Sequence, residues 1–188
     1  DMVVDGDAFK SSEDVPDTFL GTALMGASYR MIRPSVVAMR PNRSWSKPQV
    51  QKLLVTFGGA DPHHLTAKLL ALLAAFPGEL PFSIQGVIGP AFDSDHQKQL
   101  EAHANAHPQI TVQRTEQLES LILQHDLIIT LGGITAYEVM CLGRPCVAIQ
   151  SPETGFYSQQ LAAARLLVEF DSVATAAAEL AALSQNRS

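Results

Sequence analysis

Only two cysteines occur in this 188-residue chain, Cys141 and Cys146, and their lone C-x4-C spacing matches no metal-ligand pattern. Their scarcity excludes a disulfide-stapled secreted scaffold, and they read as two buried, reduced thiols of a cytoplasmic protein. Long apolar runs are lacking too. The richest, Leu69 to Phe76, stops at Pro77, well short of the ~20 residues of a membrane span. No charged stretch leads into an apolar core, so no secretory signal is read, and the opening Asp1-Met2 suggests a processed or trimmed start. There is no basic surplus: the net charge of −6 argues against nucleic-acid binding of the general electrostatic kind.

Several signatures of chemistry are also missing. Without G-x-G-x-x-G after a strand, or G-x-x-x-x-G-K-[ST], the usual dinucleotide and P-loop readings have no phosphate turn. The G-x-S-x-G elbow and H-E-x-x-H are absent as well. His103 and His107 stand four apart on a polar helix with no evident third ligand, so no metal is expected. His63 and His64 fall in a first helical turn and read as solvated, with a phosphate contact as the alternative. His125 reads as structural. No nucleophile–base pair or carboxylate pair stands out, so no catalytic residue and no cofactor is assigned to this chain.

What is present centres on Asp126 to Gln150, DLIITLGGITAYEVMCLGRPCVAIQ. Its opening apolar run reads as a strand buried on both faces of a parallel sheet. Gly132 and Gly133 turn the chain. Thr135 and Glu138 have the T-x-x-E spacing of a capping box, predicting a helix start there. Gly143 and Pro145 end that helix before a second strand, Cys146 to Ile149. Such a βαβ unit aims free N–H groups and a positive dipole end at the open edge of the sheet, which suits an anion.

The pattern repeats along residues 51–188. Leu53 to Phe57 is a buried strand followed by Gly58-Gly59, and Asp61-Pro62 reads as an N-cap with proline at the first helical position. Leu65, Leu69, Leu72, Leu73 and Phe76 form one apolar helical face. Then come a strand over Phe82 to Gly89, a polar surface helix capped at Asp93 or Ser94, and a short strand over Ile110 to Thr115. A helix carrying Leu118, Leu121 and Ile122 precedes the central stretch. After it follow a helix over Tyr157 to Leu167, a strand over Val168 to Phe170, and an alanine-rich helix capped at Asp171 or Ser172. Six strands alternating with helices predict an α/β fold, a Rossmann-like, doubly wound parallel sheet. In the order 3-2-1-4-5-6, the strands ending near Phe57 and Thr130 are neighbours at the switch point. Two Gly-Gly turns facing one crevice suit a ligand with two adjacent phosphates.

Residues 1–50 read as an interdomain segment and linker left from a missing N-terminal domain. Met2 to Val4 is expected to end a strand, Ser11 to Asp17 to be a polar loop, and Pro34 to break the chain. Asn42 to Pro48 reads as a linker with Trp45 as an anchor. Arg30, Arg33, Arg40, Arg43, Lys47 and Lys52 occur with no acid between them. That run is either a solvated connector or a hinge facing a phosphorylated ligand or, weakly, an anionic membrane surface.

Three stretches carry a resemblance: V-T-F-G-G-A-D-P (Val55 to Pro62), V-I-G-P (Val87 to Pro90), and D-L-I-I-T-L-G-G-I-T-A-Y-E-V-M-C-L-G-R-P (Asp126 to Pro145). In this order they resemble the UDP-sugar hydrolases of the pseudaminic acid pathway, their relatives in spore-coat polysaccharide synthesis, and the wider MurG-like group of GT-B glycosyltransferases. L-M-G-A-S-Y-R-M-I-R-P (Leu24 to Pro34) is similar to the segment joining the two hydrolase domains. The resemblance implies the C-terminal half of a GT-B-type two-domain enzyme with a UDP-sugar in its cleft. It also implies a catalytic histidine in the N-terminal domain. It assigns the ribose hydroxyls to Glu138, the uracil to the backbone near Thr115, and the diphosphate to Gly58, Gly59, Gly132, Gly133 and Thr135. Ala60, Asp61, Gly89 and Ile134 complete the expected substrate-binding set, with Gln159 and Gln160 near the sugar, where Gln159 replaces the family's asparagine. For Glu138, capping and ribose binding remain alternatives. For the whole chain, the alternatives are part of a hydrolase or transferase, or a non-catalytic nucleotide-sugar-binding module acting with a partner chain.

Overall fold

Short apolar runs, each too short for a helix, pair side by side in one parallel sheet. The structure, a computed structural model, describes residues 1–42, 45–46, 49–77 and 79–182. In chain order the elements are β1 (Met2–Asp5), β2 (Thr22–Met25), α1 (Pro34–Ala38), β3 (Lys52–Val55), α2 (Leu65–Ala74), β4 (Ser83–Ile88), α3 (Ser94–Ala106) and β5 (Ile110–Arg114). They continue with α4 (Leu118–Gln124), β6 (Leu127–Leu131), α5 (Ile134–Cys141), β7 (Cys146–Ile149), α6 (Gly155–Ala163), β8 (Val168–Phe170) and α7 (Val173–Ala182). The six-stranded sheet runs β5-β4-β3-β6-β7-β8, and all of its pairings are parallel. That is the expected 3-2-1-4-5-6 order, with helices on both faces.

Alternation along each strand divides the core in two. Leu53 and Val55 face α2, α3 and α7, where Leu69, Leu70, Leu73, Leu100 and Leu180 pack. Leu54 and Ile128 face the opposite layer, with Leu121 and Ile122 of α4, Val139 of α5, Leu161 of α6 and Val36 of α1. Leu53, Leu54, Ile128 and Ile129 are wholly buried, each contributing about 1.5–3 kcal/mol by burial alone. Asp126 ties the sheet together at its lower end. Its Oδ2 accepts from the backbone N–H groups of Gln51 and Lys52 at 3.0 and 3.1 Å, just where β3 begins beside β6.

Residues 1–42 add a parallel two-stranded sheet, β1 with β2, in register Met2 to Thr22. Ser11 to Asp17 holds a short 3-10 turn with a reciprocal Ser11–Asp14 capping box. Pro34 does not break the chain but starts α1 at its first position, where its missing N–H is no loss. Arg30 and Ala8 both anchor this segment on Tyr137 of α5. Arg30 lies over the Tyr137 ring at 4.0 Å while its Nη1 reaches Asp7 Oδ1 at 2.6 Å. The Tyr137 hydroxyl accepts from the Ala8 N–H at 3.2 Å. Trp45 is half-buried, whereas Arg43 and Lys47 of the basic run and Pro48 of the linker lie outside the described residues.

Other expectations need correction. Asp61-Pro62 is not an N-cap followed by the first helical residue, because α2 starts later, at Leu65, behind His64 in a left-handed conformation (φ 52°). Asp61 still caps the helix from a distance. It is itself left-handed (φ 40°), and its Oδ1 and Oδ2 accept from Leu65 and Thr66 N–H at 2.8 Å each. The helix after β7 covers Gly155–Ala163 rather than Tyr157 to Leu167. Cys146 is buried and its thiol is pushed up to about 12 by burial, but Cys141 is only half-buried. The alanine-rich last helix is capped by Ser172, whose Oγ accepts from Thr175 N–H at 3.1 Å.

His96 is buried between two rings, Phe92 and His64, each stacked at 4.2 Å, with Asp61 Oδ2 3.7 Å from its Nε2. Burial depresses its pKa, and burial likewise depresses that of His125, whose Nδ1 bonds the Leu121 carbonyl at 2.7 Å. Both rings are therefore held neutral in the fold, while the unfolded chain titrates near ~6.5. Their contribution is complete above that value and is lost as pH falls through the lower folded values. Urea midpoints should thus drop as pH is lowered from about 7 to about 5. His96→Phe, which keeps the stack, should remove part of that slope; an unaltered slope would contradict this. Asp61→Ala should cost about 0.5–2 kcal/mol for the lost cap plus ~1–2 kcal/mol for alanine in a left-handed conformation. Asp61→Asn, which tolerates that conformation and can still accept, should cost clearly less in the same melts.

Candidate functional site

β3 and β6 lie side by side, but their chains leave to opposite faces: α2 joins one layer and α5 the other. The divergence opens a crevice outside the carboxyl ends of the strands, where ligands of such sheets bind. A cleft of about 660 Å³ occupies it. Four strand ends supply its wall: Thr56, Gly58 and Gly59 after β3; Val87 to Pro90 at the end of β4; Thr115, Glu116 and Leu118 after β5; and Ile134, Thr135 and Glu138 on α5. Met31, Ile32 and Arg33 of the N-terminal segment close the remaining side.

Backbone fit shapes this wall. Gly58 turns at φ 87°, a conformation that side-chain-bearing residues rarely adopt. Gly89 is needed for a different reason. A Cβ there would stand 2.3 Å from the Gly59 carbonyl oxygen and 2.8 Å from that of Gly58. The two loops are further laced by Ala91 N–H donating to Gly59 O at 2.9 Å and Arg114 Nη1 donating to Gly89 O at 3.3 Å.

The central polar group is Glu138, only 3% exposed. The T-x-x-E capping box is not formed. α5 begins two residues earlier than a Thr135 cap implies, with Gly133 as its N-cap and no side-chain cap bond. Glu138 instead takes the fork of Arg33: Nε to Oε1 at 2.6 Å and Nη2 to Oε2 at 3.1 Å. Nη2 also reaches Glu119 Oε2 at 3.4 Å. The hydrogen bond to Glu138 raises the Arg33 pKa above its usual value, against the opposing effect of burial. The Glu119 carboxyl is held below its usual range, chiefly by its own backbone N–H and further by the Ser35 side chain and the Arg33 charge.

Of the residues named from the sequence, the cleft brings together Gly58, Gly59, Gly89, Thr115, Ile134, Thr135 and Glu138. Gly132 and Gly133 open instead on a smaller adjoining cavity of about 200 Å³, shared with Asp7, Arg30, Tyr137 and Tyr157, and Ile134 lies between the two. Gly132 admits α6 closely: a Cβ would meet Ser158 Cβ at 2.5 Å. Ala60 is exposed on the turn, and Asp61 is buried and engaged with α2. Gln159 is exposed and Gln160 half-buried on α6, and neither belongs to the wall of either cavity. Arg33 and Glu119 escaped sequence reasoning as site residues. Arg33 was one cation of a basic run, and only its contact with Glu138, 105 residues away, sets it apart.

Gly89→Ala should push the Gly58-Gly59 turn out of its place, costing about 1–3 kcal/mol of stability as overpacking does. A thermal melt of this variant within ~1 °C of wild type would show that the two loops do not constrain each other as described.

The chain is 31% identical over 129 residues to the spore coat polysaccharide biosynthesis protein SpsG of Bacillus subtilis, an overlap of 68% of this chain and 37% of that protein. It is 30% identical over 133 residues to an uncharacterized protein of Methanocaldococcus jannaschii, covering 68% of this chain and 27% of the relative. The chain thus spans well under half the length of either. No family model matches it. At this moderate identity, over part of its length, the chain is similar to the spore-coat protein SpsG.

Proposed function

We propose that this chain is the nucleotide-binding half of an enzyme of polysaccharide or nonulosonic acid biosynthesis that cleaves or transfers the sugar of a UDP-sugar. The observation that carries the reading is the buried Glu138 carboxylate in the wall of the switch-point cleft, beside the glycine turn that follows β3. Similarity to a protein named for spore coat polysaccharide biosynthesis supports the biosynthetic part of this reading.

In this reading Glu138 accepts the ribose hydroxyls and the backbone near Thr115 meets the uracil. Gly58, Gly59, Gly132, Gly133 and Thr135 surround the diphosphate. The N-terminal end of α5 adds unpaired N–H groups and a positive dipole end, which favour the charge that gathers on UDP as the anomeric bond breaks. The chain's contribution is to bind and orient the leaving group; activation of water or of an acceptor falls to a further domain. Residues 1–50 form the joint to that domain. The small β1–β2 sheet supports this, because an isolated two-stranded sheet is marginal and Met2, Val3 and Val4 are exposed on it.

Calorimetry should find weak binding of UDP and weaker or no binding of CDP and NAD, and this chain alone should release no free sugar from a UDP-sugar. Equal or absent heats for the three ligands would contradict the reading. Glu138→Gln should lose about 1.5–3 kcal/mol of UDP affinity, the range for a hydrogen bond to a charged group. Because Glu138 does not cap α5, its replacement by Gln or Ala should leave the helix start intact. A glutamine variant that binds UDP like wild type would remove Glu138 from the ribose.

A further inference from the structure

The Arg33–Glu138 contact admits two explanations. One is neutralisation, since a carboxylate buried without a partner is strongly destabilising. Neutralisation needs only a positive charge nearby. The geometry holds more than that. Nε and Nη2 engage different oxygens of one carboxylate, a fork that fixes the plane of the acceptor and that lysine cannot make. Glu119 Oε2 lies 3.4 Å from the same Nη2, a second acceptor for the guanidinium.

The backbone beneath is also fixed. Arg33 is the residue before Pro34 at the start of α1, and Val36 of that helix is wholly buried. Three residues earlier, Arg30 stacks on Tyr137, the neighbour of Glu138 on α5. Arg33 itself keeps 47% of its side chain exposed and lines the cleft with Glu138. A carboxylate has about four acceptor positions, and the fork uses one on each oxygen. Each oxygen retains one for a further donor.

We propose that Arg33 is a positioning residue: it orients the Glu138 carboxylate so that its two oxygens together accept a vicinal pair of hydroxyls, making the docked N-terminal segment part of pentose recognition. This rests on the UDP-sugar reading above. The ligand class it selects is a ribonucleotide with both hydroxyls free.

The test compares UDP with 2′,3′-dideoxy-UDP on wild type, Arg33→Lys and Arg33→Met, with a thermal melt of each. Wild type should prefer UDP by about tenfold or more, as a hydrogen bond to a charged group allows. In both variants that preference should fall below about threefold, whatever the change in affinity for the dideoxy ligand. Should Arg33→Met fail to fold, Arg33→Lys and Glu119→Ala, which removes the second acceptor and leaves the guanidinium, carry the comparison with the same expected loss of preference. Retention of the full preference by Arg33→Lys would show that charge alone suffices and overturn the proposal. Equal weakening of both ligands would show a merely structural role and overturn it as well. A wild-type protein that binds both ligands alike would remove Glu138 from hydroxyl recognition, and the proposal with it. Failure to bind either would instead sink the UDP-sugar reading on which it stands.

Discussion

The site depends on one topological constraint, the adjacency of parallel β3 and β6 in the middle of the sheet. Parallel strands need crossover connections, and right-handed crossovers from two neighbouring central strands lead to opposite faces. The loops that follow must diverge, and the gap between them cannot be filled by either helix. The 660 Å³ cleft is a consequence of the strand order rather than of any side chain lining it. Asp126 strengthens the same junction from below by accepting both N–H groups at the entry to β3.

α5 converts this gap into a polar site. Two consecutive residues on it, Tyr137 and Glu138, each receive an arginine from a segment more than 100 positions away. Arg30 and Arg33 are three apart, and the intervening Ile32 packs on the same core layer. The N-terminal segment is therefore docked by two cation contacts and an apolar one, onto the helix whose start faces the cleft. Charge accumulates there unevenly: one guanidinium serves two carboxylates, Glu138 and Glu119, and the local excess is negative. Such a cluster repels anions and attracts hydroxyl donors.

The order and direction of the strands were legible because each is a short apolar run bounded by glycine, proline or a polar cap. Alternating faces and connection rules then leave few arrangements. The position of the cleft followed from that order. Local cap patterns were less informative. T-x-x-E at Thr135 and Glu138 has the spacing of a capping box, yet Gly133 starts the helix and a distant arginine takes the carboxylate. Asp61 precedes proline as an N-cap would, but left-handed turns at Asp61 and His64 delay the helix to Leu65. His96, on a helix that reads as mostly polar, is buried because Phe92 and His64 close over it. In each case a long-range or neighbouring-loop contact outweighed the local signal, and nothing in a linear pattern announces which acid an arginine will meet.

The central claim is that the switch-point cleft receives a uridine nucleotide, and its most direct test is a titration of isotopically labelled protein with UDP, followed amide by amide. The expected result is a saturable set of shifts confined to Gly58 and Gly59, Gly89, Thr115 and Gly132 to Glu138. Shifts centred instead on the separate surface hollow around His63, His64 and His103, or no saturable shifts at all, would contradict it.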